Sequence, residues 1–187
     1  MRKIGFPLVD SVVRRSFIAT GGTVLATKLA LNYGIACNTA GGSHHATSNE
    51  GAGFCVFNDV AVGAKYLTSR GLANKILIID LDVHQGNGNS EIFKNDNQVF
   101  TFSMHAKVNY PAKKSISNLD IELEENLEDR EYIDTLKNNL KYLNKEEFDF
   151  VFYIAGVDIH YNDRLGKLKI SDHGIFERDE LVIDNFF

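Results

Sequence analysis

Near its middle the chain reads Ile76-Leu77-Ile78-Ile79-Asp80-Leu81-Asp82-Val83-His84-Gln85-Gly86-Asn87-Gly88. A short, continuous apolar run is typical of a buried strand in a parallel sheet. This run ends in two carboxylates and an imidazole, which are costly at a buried strand end unless something compensates their charges. Asp82 and His84 are two positions apart, so they point to the same side of an extended chain. The stretch therefore predicts half of a divalent-metal site at the end of a strand.

The length and composition indicate a globular chain with a core of its own. The 187 residues suit one domain or a piece of one, and 44% of them are hydrophobic and 24% charged. A formal net charge of −5 offers no basic surface for nucleic acid or an anionic membrane. Cys37 and Cys55 lack C-x-x-C spacing, so we predict two buried thiols rather than a disulfide or a metal pair.

The sequence shows no clear targeting or membrane segment. The basic start Met1-Arg2-Lys3 is not followed by an apolar segment, and Lys28 interrupts the best apolar stretch, residues 24–31. We therefore expect no signal peptide and no membrane span, and we expect the protein to be cytoplasmic.

Apolar periodicity divides the chain into alternating helices and strands. Asp10 is expected to cap a helix over 11–33, and Asn58 or Asp59 a helix over 60–70, while 43–58 is predicted to be a loop. The other predicted elements are strands over 35–37, 76–81, 99–102 and 148–155, and helices over 128–144 and from 174 onward.

This alternation predicts an α/β fold, with a parallel sheet flanked by helices on both faces. In such folds, sites form at the carboxyl ends of the strands. Polar segments follow all four predicted strands, at 41–46, 80–87, 103–105 and 156–158. We therefore expect one site at this edge of the sheet.

Asp158 is the candidate third ligand. If the strand over 148–155 lies beside the strand over 76–81, Asp158 can join Asp82 and His84. Three protein ligands with one open position describe a catalytic rather than a structural zinc site. The alternative interpretation is that Asp158 only caps a turn.

Two adjacent histidines, His44 and His45, lie in a Gly-rich segment. A single histidine is more often a packed core residue, but a tandem pair beside a carboxylate-rich strand end is better explained as acid–base machinery. Asp80 and Asn87 could accept hydrogen bonds from the two rings and fix their orientation.

Other catalytic motifs do not occur in the sequence. Residues 86–91 lack the third glycine of a dinucleotide fingerprint, Gly-Lys-Ser/Thr is absent, and no Ser or Cys forms a nucleophile elbow. His160 and His173 lie in polar stretches and are predicted to be surface residues.

Five motifs occur in an order that resembles a known family. They are Gly41-Gly42-x-His44-His45-Ala46, Gly53-Phe54-Cys55-x-Phe57-Asn58-Asp59, Asp80-x-Asp82-x-His84-x-Gly86-Asn87-Gly88, Ser103-x-His105 and Ala155-Gly156-x-Asp158. Together they resemble the histone deacetylase family, which includes acetylpolyamine and acetoin-utilisation amidohydrolases. Gln85-Gly86-Asn87-Gly88, together with Asp163-Arg164-Leu165-Gly166 and Arg178-Asp179-Glu180-Leu181, is most similar to class IV members and their bacterial relatives.

The resemblance implies an arginase/deacetylase-type fold and the hydrolysis of acetyl amides, typically on lysine side chains, with zinc or alternatively iron. It implies that Asp82, His84 and Asp158 are the metal ligands. It implies that His45 acts as general base and then as general acid, with His44 as its electrostatic partner. Asp80 is then expected to orient His44, and Asn87 to orient His45. It also implies substrate contacts from Phe54, Tyr110 and the Gly53 carbonyl, and a structural potassium site formed by Asp80, Asp82, His84, Ser103 and Met104. Class I members carry Asp at the position of Asn87.

The ends of the chain depart from the family pattern. The resemblance implies that 1–187 is a partial catalytic domain with an incomplete sheet, lacking a late Gly-Gly-Tyr motif whose hydroxyl stabilises the oxyanion. Losing one oxyanion donor typically costs about 10²–10³ in rate. Two hypotheses therefore stay open: an amidohydrolase acting on an acetylated protein or small molecule, or an impaired fragment that acts at most as a metal- or ligand-binding module. An incomplete sheet is also consistent with self-association.

Overall fold

A computed structural model describes residues 4–7, 9–144 and 147–187 of the chain. The elements of this part, in chain order, are α1 (Asp10–Tyr33), α2 (Asp59–Thr68), β1 (Ile76–Asp80), α3 (Asn87–Phe93), β2 (Val99–Ala106), β3 (Leu119–Leu123), α4 (Asp129–Leu143), β4 (Phe150–Ile154) and α5 (Asp172–Phe186). None of the helices described is both long and apolar enough to cross a membrane.

The four strands form one parallel sheet in the order β3-β2-β1-β4. β1 lies in the interior of the sheet, and all five of its residues are buried. The chain passes from β1 to β2 and β3 on one side, but β4 pairs with the opposite side of β1. Strand order therefore reverses between β1 and β4, and the carboxyl ends of strands at such a point border a ligand-binding crevice.

The alternating side chains of β1 contribute to two hydrophobic cores. Leu77 and Ile79 pack in one core with apolar residues of α4 and α5. Ile76 and Ile78 pack in the other with apolar residues of α2 and with Phe93 of α3. The predicted parallel sheet with helices on both faces is confirmed.

An apolar groove of about 590 Å³ runs along β4 between α1 and α5. Within the described residues β4 is an edge strand, because β1 is its neighbour on one side alone. Leu31 and Ile35 line the groove and are 43% and 54% exposed. This side of the sheet therefore presents apolar surface and an open strand edge to solvent.

One predicted strand and one predicted buried thiol are wrong, and another strand is longer than predicted. Residues 35–37 form no strand, because a run of three residues needs a paired neighbour and no described strand lies beside it. Cys37 is consequently exposed, whereas Cys55 is buried as predicted. β2 extends to Ala106, so Ser103 and His105 lie within the strand rather than after it. The short α3 and β3 were not predicted.

Two of the helices begin with side-chain caps. The Asn58 carboxamide oxygen accepts a hydrogen bond from Ala61 N at 2.8 Å, which confirms Asn58 as the cap of α2. Ser171 caps α5 by accepting from Gly174 N at 3.2 Å, so this helix begins before the predicted position 174. The predicted cap at Asp10 is wrong, because α1 begins at Asp10 itself and Val9 precedes it without a side-chain hydrogen bond.

Candidate metal centre and active site

Three ligand-type side chains converge where β1 and β4 end. Asp82 and His84 follow β1, and Asp158 follows β4. His84 Nδ1 lies 3.0 Å from Asp82 Oδ1 and 3.0 Å from Asp158 Oδ2, and one ligand atom from each residue falls within 4.8 Å of the others. Asp158 also accepts a hydrogen bond from Val83 N at 3.0 Å through its second oxygen. The Asp158 carboxylate therefore links the loop after β4 to the loop after β1, and it also faces Asp82 and His84.

This donor set is chemically suited to a divalent cation. Two carboxylates and one imidazole suit zinc and iron alike. Burial opposes charge on His84, but its hydrogen bonds with Asp158 and Asp82 outweigh burial and raise its pKa to about 9. Burial would raise the pKa of Asp82, but the charge of His44 and the hydrogen bonds from His84 hold it well below its usual range. The cluster therefore favours positive charge between its carboxylates, which a bound cation would supply.

The two adjacent histidines are buried beside this cluster, and a different residue holds each ring. His44 Nδ1 lies 2.7 Å from Asp80 Oδ2, and His45 Nδ1 lies 2.7 Å from Asn87 Oδ1. The ring centroids of His44 and His45 are 4.0 Å apart, and His45 lies 5.8 Å from the ring of His84. Because an amide oxygen only accepts, His45 carries its proton on Nδ1 and leaves Nε2 free as a proton acceptor.

The surroundings push the pKa values of the two histidines in opposite directions. Burial opposes charge on His44, but the Asp80 and Asp82 carboxylates outweigh it and raise the His44 pKa to about 9. Burial and the neighbouring charge of His44 lower the His45 pKa to about 3. Burial raises the pKa of Asp80. At neutral pH the pair therefore contains one imidazolium and one neutral imidazole, the form that a general base requires.

Asp59 and Gly88 fix the backbone that carries the histidines. The buried Asp59 carboxylate accepts hydrogen bonds from Ser43 N at 2.7 Å and Gly42 N at 3.1 Å. Gly88 N donates to the His44 carbonyl at 2.9 Å, and a Cβ at Gly88 would lie 2.3 Å from the Ala46 carbonyl oxygen. Only glycine therefore fits at this close approach between α3 and the histidine loop. The structural role of Asp59 was missed, although the residue lies in a quoted motif.

The predicted substrate-binding residues surround His45. The Tyr110 ring meets the His45 ring edge-on at 4.8 Å. Gly53 has a φ of +51°, and a Cβ there would lie 2.4 Å from the His45 ring, so glycine is required beside the imidazole. Phe54 is 61% exposed and packs on Phe6 at 5.3 Å between ring centroids. The structure thus brings Gly53 and Tyr110 against His45 and leaves Phe54 at the surface next to them.

Of the residues predicted to bind potassium, Asp80, Ser103 and Met104 lie in β1 and β2, whereas Asp82 and His84 are also predicted metal ligands. Asp80 and Ser103 are paired across β1 and β2, and Met104 follows in the strand, fully buried. The Ser103 hydroxyl already contacts His105 Nδ1 at 3.0 Å. This part of the prediction concerns an ion and stays a prediction.

Two further buried side chains reach the group formed by Asp82, His84 and Asp158 and were not predicted to do so. Asn109 Nδ2 donates to the Leu165 carbonyl at 2.9 Å and lies 3.4 Å from His84 Nε2. Arg178 of α5 is fully buried and contacts the loop that carries Asp158. The sequence offered no signal for Asn109, while Arg178 stood out only as part of a subgroup motif.

Comparison with known proteins identifies the family. The sequence matches the Histone deacetylase domain over residues 3–186. An uncharacterised protein of Picosynechococcus sp. is 50% identical over 97% of this chain and 61% of its own length. Histone deacetylase 2 of Arabidopsis thaliana is 39% identical over 87% of this chain and 43% of its own length.

A solved structure shares the fold as well as the sequence pattern. The crystal structure of an HDAC homologue complexed with SAHA aligns with a TM-score of 0.85 and 32% identity, over 91% of this chain and 50% of that chain. The fold is therefore of the predicted arginase/deacetylase type. The chain spans between 43% and 61% of the length of these relatives. The match over nearly all of its residues shows that the chain belongs to the histone deacetylase family.

Proposed function

We propose that this chain carries the metal-dependent site of an amidohydrolase that removes acetyl groups from amines. The observation that supports this most strongly is the placement of a neutral imidazole, His45, beside the convergent Asp82, His84 and Asp158. Metal ligands alone would suit many functions. An oriented general base 5.8 Å from the ring of a ligand histidine suits hydrolysis.

The metal site itself is the first part of the proposal. Asp82, His84 and Asp158 would hold Zn²⁺, with Fe²⁺ as the alternative, because this donor set accepts both ions. A bound divalent cation would supply a Lewis acid that polarises the acetyl carbonyl and makes a water molecule more acidic. A structural K⁺ would be held by Asp80, Asp82, His84, Ser103 and Met104, partly through their backbone oxygens.

The histidines would move the protons. His45 Nε2 would accept a proton from the attacking water and then deliver one to the amine nitrogen as the carbon–nitrogen bond breaks, which yields acetate and a free amine. Asn87 would keep Nδ1 protonated, so that Nε2 always faces the substrate. His44, held as an imidazolium by Asp80, would favour the developing negative charge on the acyl oxygen.

The substrate would enter past the residues that surround His45. Tyr110 and the exposed Phe54 would offer aromatic surface to an alkyl chain, and the Gly53 carbonyl would accept a hydrogen bond from its amide. An acetyl-lysine side chain or a small acetylated amine presents this combination. The deacetylase relatives and the SAHA-bound neighbour support this class of substrate. We also propose a cytoplasmic location and no contact with nucleic acid.

A second candidate function is metal or ligand binding without turnover. It rests on the same convergence of Asp82, His84 and Asp158, which would bind a cation whether or not a substrate is hydrolysed. The two candidates agree on the metal site and differ in whether an acetyl amide is hydrolysed.

Hydrolysis of an acetyl-lysine peptide in the presence of Zn²⁺ or Fe²⁺ tests the proposal. The chain is compared with His45→Ala, and His173→Ala serves as the control because His173 is exposed and outside the site. We expect turnover by the chain and by His173→Ala, and a loss of at least about 10²-fold in His45→Ala. Equal turnover by the chain and His45→Ala would contradict the catalytic role, and metal binding without turnover by any protein would favour the second candidate.

A further inference from the structure

Arg178 is a buried cation that the proposed chemistry does not use. Its side chain is fully buried on α5, within the core formed with α4. Burying a guanidinium is costly unless its charge and donors are satisfied, so the partners of such a residue show what it holds in place. Here its hydrogen-bond partners lie on two separate segments, α5 itself and the loop after β4.

One side of the guanidinium is oriented by its neighbours on α5 and β4. Arg178 Nε donates to Asp179 Oδ1 at 2.8 Å, and Nη2 lies 2.8 Å from the same oxygen. The Tyr153 hydroxyl donates to that oxygen at 2.5 Å. Because two groups converge on Asp179, the direction of the guanidinium plane is fixed.

The other side reaches the loop that supplies a metal ligand. Arg178 Nη1 donates to the Gly156 carbonyl at 2.5 Å, two residues before Asp158. Gly156 also packs directly on Asp82, since a Cβ at this glycine would lie 2.6 Å from Asp82 Cα and from one of its carboxylate oxygens. The peptide held by Arg178 therefore lies between the two carboxylate ligands.

We infer that Arg178 is a positioning residue that sets the spacing of Asp82 and Asp158 by fixing the Gly156 peptide between them. This inference rests on the metal site of the proposed function. A residue of this kind raises metal affinity without touching the ion, because it lowers the cost of bringing the ligands to their bound geometry. Groups that orient metal ligands typically contribute 10–100-fold to affinity.

Titration of the whole chain with Co²⁺, followed by calorimetry and by the visible absorption of the bound ion, tests the inference. Arg178→Met keeps the apolar stem and removes the donors, and we expect it to weaken Co²⁺ binding about 10-fold or more and to alter the absorption bands. Arg178→Lys keeps a charged donor and should recover part of the affinity. Lys137→Met is the matched control, since it removes a surface ion pair between α4 and α5, to Glu177 at 2.9 Å, with no contact to Gly156.

The outcomes separate this inference from the metal site on which it rests. A parent chain that binds no Co²⁺, or binds it equally after Asp82→Ala, contradicts the proposed function. A folded Arg178→Met that binds Co²⁺ as tightly as the parent overturns the inference alone, even if its metal-free stability falls. Should Arg178→Met fail to fold, Asp179→Asn decides, because it loosens the guanidinium without removing it: weaker Co²⁺ binding supports the inference and unchanged binding overturns it.

Discussion

At the scale of single residues, the site depends on a difference in charge between two adjacent imidazoles. His44 faces carboxylates and is protonated on both ring nitrogens, whereas His45 faces an amide oxygen and is neutral, with its single proton on Nδ1. Aspartate in place of Asn87 would turn the second contact into an ion pair. The residue at position 87 therefore controls the protonation of His45 as well as the orientation of its ring.

We predict that Asn87→Asp raises the pKa of His45 in the metal-free chain. The parent His45 pKa is lowered to about 3 by burial and by the charge of His44, and a carboxylate 2.7 Å away would oppose both. Titration of the imidazole resonances by NMR measures the change. Asn97→Asp adds the same charge just before β2, at the amino ends of the strands and away from the site, and should leave the His45 resonance unchanged. A parent-like titration of His45 in Asn87→Asp would show that position 87 does not set its charge.

We also predict that the metal-free chain loses thermal stability as the pH rises from about 6.5 to 9. The pKa values of His44 and His84 are both raised to about 9, so each contributes stability that is complete below 6.5 and is lost as the pH passes through 9. Melting curves in a chelator across this range measure the loss. His44→Asn should reduce the slope, and the exposed His173→Asn should not; equal slopes in all three proteins would contradict the assignment.

At the scale of helices and strands, a long continuous run of apolar residues predicted a strand correctly, and shorter or alternating patterns did not. The strand over 76–81 was recognisable because four consecutive apolar residues precede the acidic end, and β1 confirms it. β3 was missed although its sequence, Leu-Asp-Ile-Glu-Leu, alternates apolar and polar residues as a half-buried strand does. Five alternating residues are a weak pattern, and pairing with β2 fixes the strand in the sheet. The strand over 35–37 was wrongly predicted because a short apolar run does not form a strand without a neighbouring strand to pair with.

The cap of α2 should stabilise both its helix and the histidine loop. The Asn58 carboxamide accepts from Ala61 N at 2.8 Å and donates to the Ala46 carbonyl at 3.1 Å. We expect Asn58→Ala to lower the free energy of unfolding by about 3 kcal/mol, as the sum of a lost cap and two lost buried hydrogen bonds, to the Ala46 carbonyl and to Asn89 Oδ1. Urea denaturation measures this. Asn58→Asp keeps the acceptor of the cap but removes both donor contacts, to the Ala46 carbonyl and to Asn89 Oδ1, so an equal loss in both variants would assign the effect to these two contacts rather than to the cap.

At the scale of the whole molecule, the candidate site was more predictable than the fold around it. Asp82 and His84 could be paired from their spacing, Asp158 from its position after a predicted strand, and the two histidines from their tandem occurrence. Asp59, Asn109 and Arg178 could not, because each acts through backbone groups far away in sequence, and such contacts leave no periodic pattern. The unpaired edge of β4 could not be predicted from the sequence either, because it depends on the order of the strands in the sheet.

That open side leads to the last prediction, that the chain described here associates with itself through the groove along β4. An open strand edge next to exposed apolar residues favours association, and Leu31 and Ile35 supply such surface. Sedimentation velocity at several concentrations measures the assembly. Leu31→Glu places a charge in the groove and should shift the population towards monomer. Ile116→Glu changes a residue that is 84% exposed and outside the groove, so it should associate like the parent. A parent that sediments as a monomer at every concentration, or an equal shift in both variants, would exclude the groove as the contact.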